Sequence, residues 1–91
     1  MVNQIPLKKS DVRVHQLEQG VVLYNPRTDE VHLLNPAALL VWECSTGDYT
    51  LTGIARLLGS VYGLDTDLSV EVQKIVEQFA EKALLEIMYQ Q

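Results

Sequence analysis

The sequence predicts an α+β domain in which a three-stranded antiparallel sheet is followed by three helices. Apolar residues make up 47% of the 91 residues and charged residues 21%, a balance typical of a folded chain with one modest core. Between Val12 and Leu34 the apolar residues form short runs separated by turn residues, as they do in strands. After Leu34 the apolar spacing changes to about 3.6 residues, which is the period of a helix.

Three short runs of β-branched and aromatic residues are predicted to form a β-meander. The runs are Val12–Leu17, Val21–Tyr24 and Val31–Leu34. Gly20 can adopt a positive φ in the first turn, and Pro26 fixes φ in the second. Residues 1–11 show no period, so we expect a flexible N-terminal tail. Residues 12–91 are then expected to form a single domain.

The remaining chain is predicted to form three helices. Asn35 can cap the first helix, and Pro36 suits a first helical position because the missing N–H would have no partner there. The first expected helix begins at Pro36, runs through Glu43 and stops by Gly47. The second opens at Thr50 and ends near Gly63, and the third has an apolar stripe that runs from Leu68 to Ile87.

The charge balance and the motifs present argue against several classes of function. The formal net charge is −5, whereas nucleic-acid binding rests on Lys and Arg neutralising phosphates. No apolar run reaches the roughly 18–20 residues of a membrane span, and the N-terminus lacks a signal core, so we expect a cytoplasmic protein. No phosphate loop, dinucleotide fingerprint or nucleophile elbow occurs. We therefore expect neither an enzyme nor a bound cofactor.

The residues that most often carry chemistry have a structural interpretation here. Cys44 is the only cysteine, which excludes an intrachain disulfide, and its place after an apolar helix favours a packed side chain over a nucleophile. His15 and His32 are the only histidines, and neither has a second ligand at helical spacing. The sequence thus predicts no catalytic residue and no metal site.

The third predicted strand is apolar on both of its faces. Val31 and Leu33 point to one side, and His32 and Leu34 to the other. One explanation is that the tail or a helix covers the second face. The other is that the strand is a free edge for another peptide, with the third helix as the opposite wall of a groove.

Several segments in this order resemble the PqqD-like family of peptide chaperones, the recognition elements for ribosomally synthesised and post-translationally modified peptides (RiPPs). The segments that carry the resemblance are Gly20–Tyr24, Thr28–Ala38 with Leu34-Asn35-Pro36 at the strand-to-helix junction, Trp42, Gly47–Leu51, Ile54-Ala55 and Tyr62-Gly63. The chain departs from the family at Ala83-Leu84-Leu85, where Gly-Leu-Leu is common, and at Gly53, where many members have an acidic residue.

The resemblance implies a winged-helix-like fold and a non-catalytic task, the capture of a precursor's leader peptide for a modifying enzyme or leader protease. The sequence does not identify the class of product, which could be a lasso peptide, a quinone cofactor or a thioether-bridged peptide. It also leaves open whether the partner enzyme is a radical-SAM enzyme, a protease or a cyclase. By analogy, the leader adds as a strand beside the third strand and lies against the third helix, and we expect a monomer or weak dimer. The residues this implies are Glu30, Val31, His32, Leu33 and Leu34 on the strand, with Glu71, Ile75, Gln78, Phe79 and Lys82 on the helix.

The apolar cleft is expected to lie between Val31 and Leu33 on one side and Ile75 and Phe79 on the other.

Two alternative functions remain, namely a winged-helix DNA-binding regulator and an adaptor whose spare edge pairs with its own copy. DNA binding is disfavoured because the predicted third helix lacks a basic face. Its charged residues are Glu71, Glu77, Glu81 and Glu86 against Lys74 and Lys82.

Overall fold

The structure, a computed structural model, describes residues 3–90. Met1 and Val2 of the expected tail, and Gln91 of the expected domain, lie outside the described residues. The elements in chain order are β1 (Asn3–Lys8), β2 (Arg13–Leu17), β3 (Gly20–Asn25), β4 (Glu30–Leu34), α1 (Pro36–Glu43), α2 (Leu51–Tyr62), α3 (Ser69–Glu81) and β5 (Leu85–Gln90).

The predicted three-stranded sheet and the three helices after it are confirmed. Strands β2, β3 and β4 form an antiparallel meander in that spatial order. Asn35 caps α1, with its Oδ1 accepting a hydrogen bond from the Ala38 N–H at 2.8 Å. Thr50 caps α2 in the same way, and Gly63 ends it at a φ of 64°. These boundaries follow from local capping chemistry, which is why the sequence predicts them.

The expectation of a flexible tail over residues 1–11 is wrong for most of that segment. Strand β1 pairs antiparallel with β5, from Asn3 opposite Gln90 to Lys8 opposite Leu85. The other side of β1 contacts the loop after α1, where the Lys8 N–H donates to the Ser45 carbonyl at 2.8 Å. Pro6 is almost fully buried between these neighbours. Most of the N-terminal segment is therefore a strand, and its partner β5 lies at the other end of the sequence.

The expectation that the third helix continues to Ile87 is also wrong, because α3 ends at Glu81. Ala83 adopts a φ of 57°, in the left-handed region. The Leu84 N–H donates to the Phe79 carbonyl at 2.9 Å, and the Ala83 N–H donates to the Ala80 carbonyl at 3.0 Å. This pair of bonds is the Schellman motif, which satisfies carbonyls at a helix C-terminus and turns the chain away. The chain then enters β5.

The core lies between the β2–β4 sheet and the helices. Trp42 of α1 meets Phe79 of α3 edge to face, with ring centroids 5.6 Å apart. The buried cluster is Leu23, Leu34, Val41, Trp42, Cys44, Ile54, Ala55, Leu58, Val72, Val76, Phe79, Leu84 and Leu85. This packing places α3 beside β4. Within residues 3–90, no helix has the length and apolar character needed to cross a membrane.

Candidate functional site

Strand β4 forms one edge of the three-stranded sheet. It pairs with β3 on one side, and no other strand in residues 3–90 pairs with its second side. The N-terminal segment does not cover this edge, because β1 pairs with β5. An edge strand presents outward-pointing N–H and C=O groups that can pair with another extended chain. The edge therefore offers a backbone template.

A cleft of about 430 Å³ lies between this edge and α3. Its lining residues come from β4, the start of α1, α3 and the turn after α3, and they are His32, Leu33, Leu34, Asn35, Ala38, Ile75, Gln78, Phe79, Glu81, Lys82 and Leu84. Leu34, Phe79 and Leu84 are buried and supply an apolar floor. Gln78, Glu81 and Lys82 are exposed, so the cleft has an apolar interior and a polar rim.

Most of the residues expected at a groove do line this cleft, but three do not. His32, Leu33, Leu34, Ile75, Gln78, Phe79 and Lys82 are brought together around it. Glu30, Val31 and Glu71 are exposed and lie outside its lining.

Four lining residues were not expected from the sequence. Asn35 and Ala38 follow β4 directly, so their position depends on how α1 leaves the strand. Glu81 and Leu84 flank the end of α3, which the sequence did not locate. Ala83 carries the left-handed turn that ends α3, and an alanine gives no sequence signal for such a turn.

The sheet register corrects the expected wall formed by Val31 and Leu33. His32 lies opposite Leu23, which is fully buried, so His32 and Leu34 share the face that points to the core and α3. Val31 and Leu33 point to the other face and are each 63% exposed. Leu33 borders the cleft, although its Cδ1 extends toward Gly20 on that outer face. The apolar strand contribution to the cleft is therefore Leu34, beside His32.

The polar groups of the cleft include one histidine on the inward face of β4. Nε2 of His32 is buried and has no hydrogen-bond partner within the described part of the chain. Burial raises the pKa of the Cys44 thiol, and this side chain lies outside the cleft lining. No group of three or more His, Cys, Asp or Glu side chains in residues 3–90 is placed to hold a metal ion. What the site offers is a strand edge beside a cleft with an apolar floor and a polar rim.

A family model described as coenzyme PQQ synthesis protein D (PqqD) matches residues 20–85, from the start of β3 to the start of β5. The chain belongs to the PqqD family. The resemblance inferred from the sequence is thereby confirmed, and the match covers β4, α3 and all the residues that line the cleft. No curated protein matches the chain.

A solved structure described as "Lasso peptide synthetase B1 complexed with the leader peptide" has the same fold as this PqqD-family chain. The TM-score is 0.77 at 23% sequence identity, over 90% of this chain and 98% of the other. At this identity the likeness concerns the fold. It includes nearly the whole of the other chain.

Proposed function

We propose that this PqqD-family protein binds the leader segment of a ribosomally made precursor peptide and delivers it to a modifying enzyme or leader protease. The leader adds as a strand along the outer edge of β4, and some of its side chains enter the cleft between β4 and α3. The protein itself carries out no covalent step. The observation that carries this proposal is the edge of β4, unpaired in residues 3–90 and bordered by a cleft of about 430 Å³.

The size and lining of the cleft support a peptide ligand. Ligand pockets commonly measure about 300–1,000 Å³ and combine an apolar lining with a few polar groups. Strand addition to a sheet edge is a recurring mode of peptide recognition, in which backbone hydrogen bonds align the added chain and pockets select alternate side chains. Membership of the PqqD family and the fold shared with a protein described in complex with a leader peptide both support a leader peptide as the ligand.

The free energy of binding must come mainly from the cleft. Micromolar affinity requires about −8 kcal/mol. A strand hydrogen bond contributes about 1 kcal/mol net, while ordering one leader residue costs about 1–2 kcal/mol, so backbone pairing gives little net affinity. Burying about 300 Å² of apolar surface supplies roughly 7.5 kcal/mol. Backbone pairing then sets the register, and contacts with Leu34, Ile75 and Phe79 set affinity and specificity.

The partners follow from this role. A leader of a lasso peptide precursor is the first ligand to test, since the solved structure with the same fold is described as a lasso peptide synthetase B1 with leader peptide. A leader protease or a modifying enzyme is the second partner. The leader binds a monomer or a weakly associating dimer, because the edge of β4 must be open to receive it.

The test is a titration of the protein with a fluorescently labelled synthetic leader, taken from the precursor reading frame next to its gene. Saturable binding below about 100 µM, or about −5.5 kcal/mol, is expected. A scrambled peptide of the same composition is the ligand control. Absence of saturable binding would reject the proposal.

A pair of variants tests the location of binding. Ile75→Asp places a carboxylate in the cleft, where Ile75 is half-buried, and should weaken binding at least about 10-fold because burying a charge is costly. Val70→Asp makes the same change on the same helix at a side chain that is 58% exposed and outside the cleft lining, and should leave affinity unchanged. Equal effects of the two variants would place the leader elsewhere.

A further inference from the structure

The turn between β3 and β4 is joined to the end of α3 by side-chain hydrogen bonds. Asn25 is fully buried, at 0% exposure. Its Nδ2 donates to the Lys82 carbonyl at 3.0 Å, and its Oδ1 accepts from the Arg27 N–H at 3.1 Å. The Arg27 guanidinium donates to the Ala83 carbonyl and also pairs with Asp11, at 2.9 Å from Nε to Oδ2. We call the contacts of Asn25 and Arg27 with these two carbonyls the clamp.

The clamp connects the end of α3 to the end of β3 and to the turn that leads into β4. Asn25 lies opposite Glu30, the first residue of β4, in the sheet register. Lys82 is the C-cap of α3 and lines the cleft. The bond from Asn25 to Lys82 spans 57 residues of sequence. It fixes the end of α3 relative to β3, and β4 is held in turn by its pairing with β3.

The hydrogen bonds of the clamp fix the distance between the strand and the helix. A buried amide is costly unless it is hydrogen-bonded, and here both the Nδ2 and Oδ1 atoms of Asn25 have partners. Carbonyls at a helix C-terminus lack intrahelical donors, so Lys82 and Ala83 supply acceptors at a fixed place. An apolar side chain could fill the same volume but would not fix a distance between the strand and the helix.

We infer that Asn25 and Arg27 are positioning residues, which set the spacing between β4 and α3 that a bound leader requires. The inference rests on the proposed function. A leader that pairs with β4 and packs on α3 at once contacts both walls, and binding constellations lose affinity when their supporting contacts let them shift by about 1 Å. Neither residue lines the cleft. Their effect on binding is exerted through the position of α3.

The first test uses Asn25→Asp in the full-length chain, with the labelled leader as probe. The carboxylate keeps the size of the amide but turns an oxygen toward the Lys82 carbonyl in place of the donating N–H. Because the bond exists in the free and in the bound protein, its loss raises Kd only by the cost of restoring the spacing on binding. We expect leader Kd to rise by up to about 10-fold, the limit set by one hydrogen bond. Gln16→Glu adds the same charge at an exposed position on β2 and should leave Kd unchanged.

A second control separates positioning from general loss of stability. Ser45→Ala removes another fully buried side-chain bond, the one from the Ser45 hydroxyl to the Val41 carbonyl at 2.8 Å, away from the cleft. Apparent Kd scales with the binding-competent fraction, so a variant that is still about 99% folded loses only about 1% of its affinity by unfolding. Ser45→Ala should lower the denaturation midpoint without changing Kd.

Arg27→Gln carries the test should Asn25→Asp fail to fold. The shortened side chain loses the contact with the Ala83 carbonyl, and Kd should rise about 3-fold, as expected for part of one hydrogen bond. Arg13→Gln makes the same charge change at an exposed position on β2 and should have no effect. Clamp variants that bind as tightly as their controls overturn this inference alone. A wild-type protein that binds no leader overturns the proposed function together with it.

Discussion

Replacing Ala83 by glycine should stabilise this protein. Ala83 has a φ of 57° at the position where the Schellman motif normally places glycine, directly after α3. An L-residue in the left-handed region costs roughly 1–2 kcal/mol, because its Cβ crowds the following carbonyl. The PqqD family commonly has glycine at this position, and the conformation supplies a physical reason.

The size of the effect follows from three contributions. Glycine removes the roughly 1–2 kcal/mol conformational cost but loses about 0.5–1 kcal/mol through its greater freedom in the unfolded chain. The half-buried methyl group of Ala83 contributes about 0.4 kcal/mol, half of the value for a fully buried methylene. The net gain is about 0.1–0.6 kcal/mol, and its mid-range value corresponds to a Tm increase of about 1.5–3 °C in a domain of this size.

Urea unfolding followed by circular dichroism measures this change, with two controls. Gly63→Ala makes the reverse substitution at a φ of 64°, where a Cβ would meet no atom within 4 Å, and should destabilise by about 0.5–1 kcal/mol. Ala80→Gly lies inside α3 and should destabilise by about 1 kcal/mol. Destabilisation by Ala83→Gly as large as that of Ala80→Gly would refute the reasoning.

Three further predictions concern the ends of the chain and two side chains. Deleting residues 1–8 should lower the free energy of unfolding by at least about 2 kcal/mol, because it removes buried Pro6 and the strand that pairs with β5. An unchanged urea midpoint would contradict this pairing. Hydrogen bonds from Ser69 lower the pKa of Asp67, so its contribution to stability is present above the unfolded pKa of about 3.9 and is lost as pH falls through the lowered value. The stability difference between wild type and Asp67→Ala should accordingly shrink from pH 6 to pH 2, and a constant difference would argue against the bonds. Burial, with a smaller contribution from Glu43, raises the pKa of the Cys44 thiol, so a thiol reagent at pH 8 should label it slowly until urea unfolds the chain.

Local signals explain the part of the fold that could be predicted. Asn35, Thr50 and Gly63 mark helix ends within a few residues of themselves, and the structure uses each as expected. The pairing of β1 with β5 joins opposite ends of the chain, so neither segment shows its partner. In β5, Leu85 is buried, Glu86 exposed, Ile87 half-buried and Met88 exposed, which is the alternation of a strand. Only Glu86 interrupts the apolar run from residue 83 to residue 89, so this alternation is visible in the structure and not in the sequence.

In the candidate site, too, features set by neighbouring residues could be predicted, and features set by residues far apart in sequence could not. The helical period of α3 places Ile75 and Phe79 at the cleft, as predicted. The face of β4 that points inward could not be predicted, because both faces are apolar and only the register against buried Leu23 decides between them. Asn25 directly precedes Pro26 of the predicted second turn, yet its hydrogen-bond partner Lys82 lies 57 residues away.

Hydrogen exchange of the backbone amides in β4 tests the central claim most directly. In the free protein, alternate N–H groups of β4 face outward and should exchange quickly, because they have no partner among the described residues. A saturating amount of the synthetic leader should slow the exchange of those amides. The amides on the outer side of β2, the opposite edge of the same sheet, should exchange at an unchanged rate. Protection at β2, or a bound leader that leaves the β4 amides unprotected, would contradict strand addition at this edge.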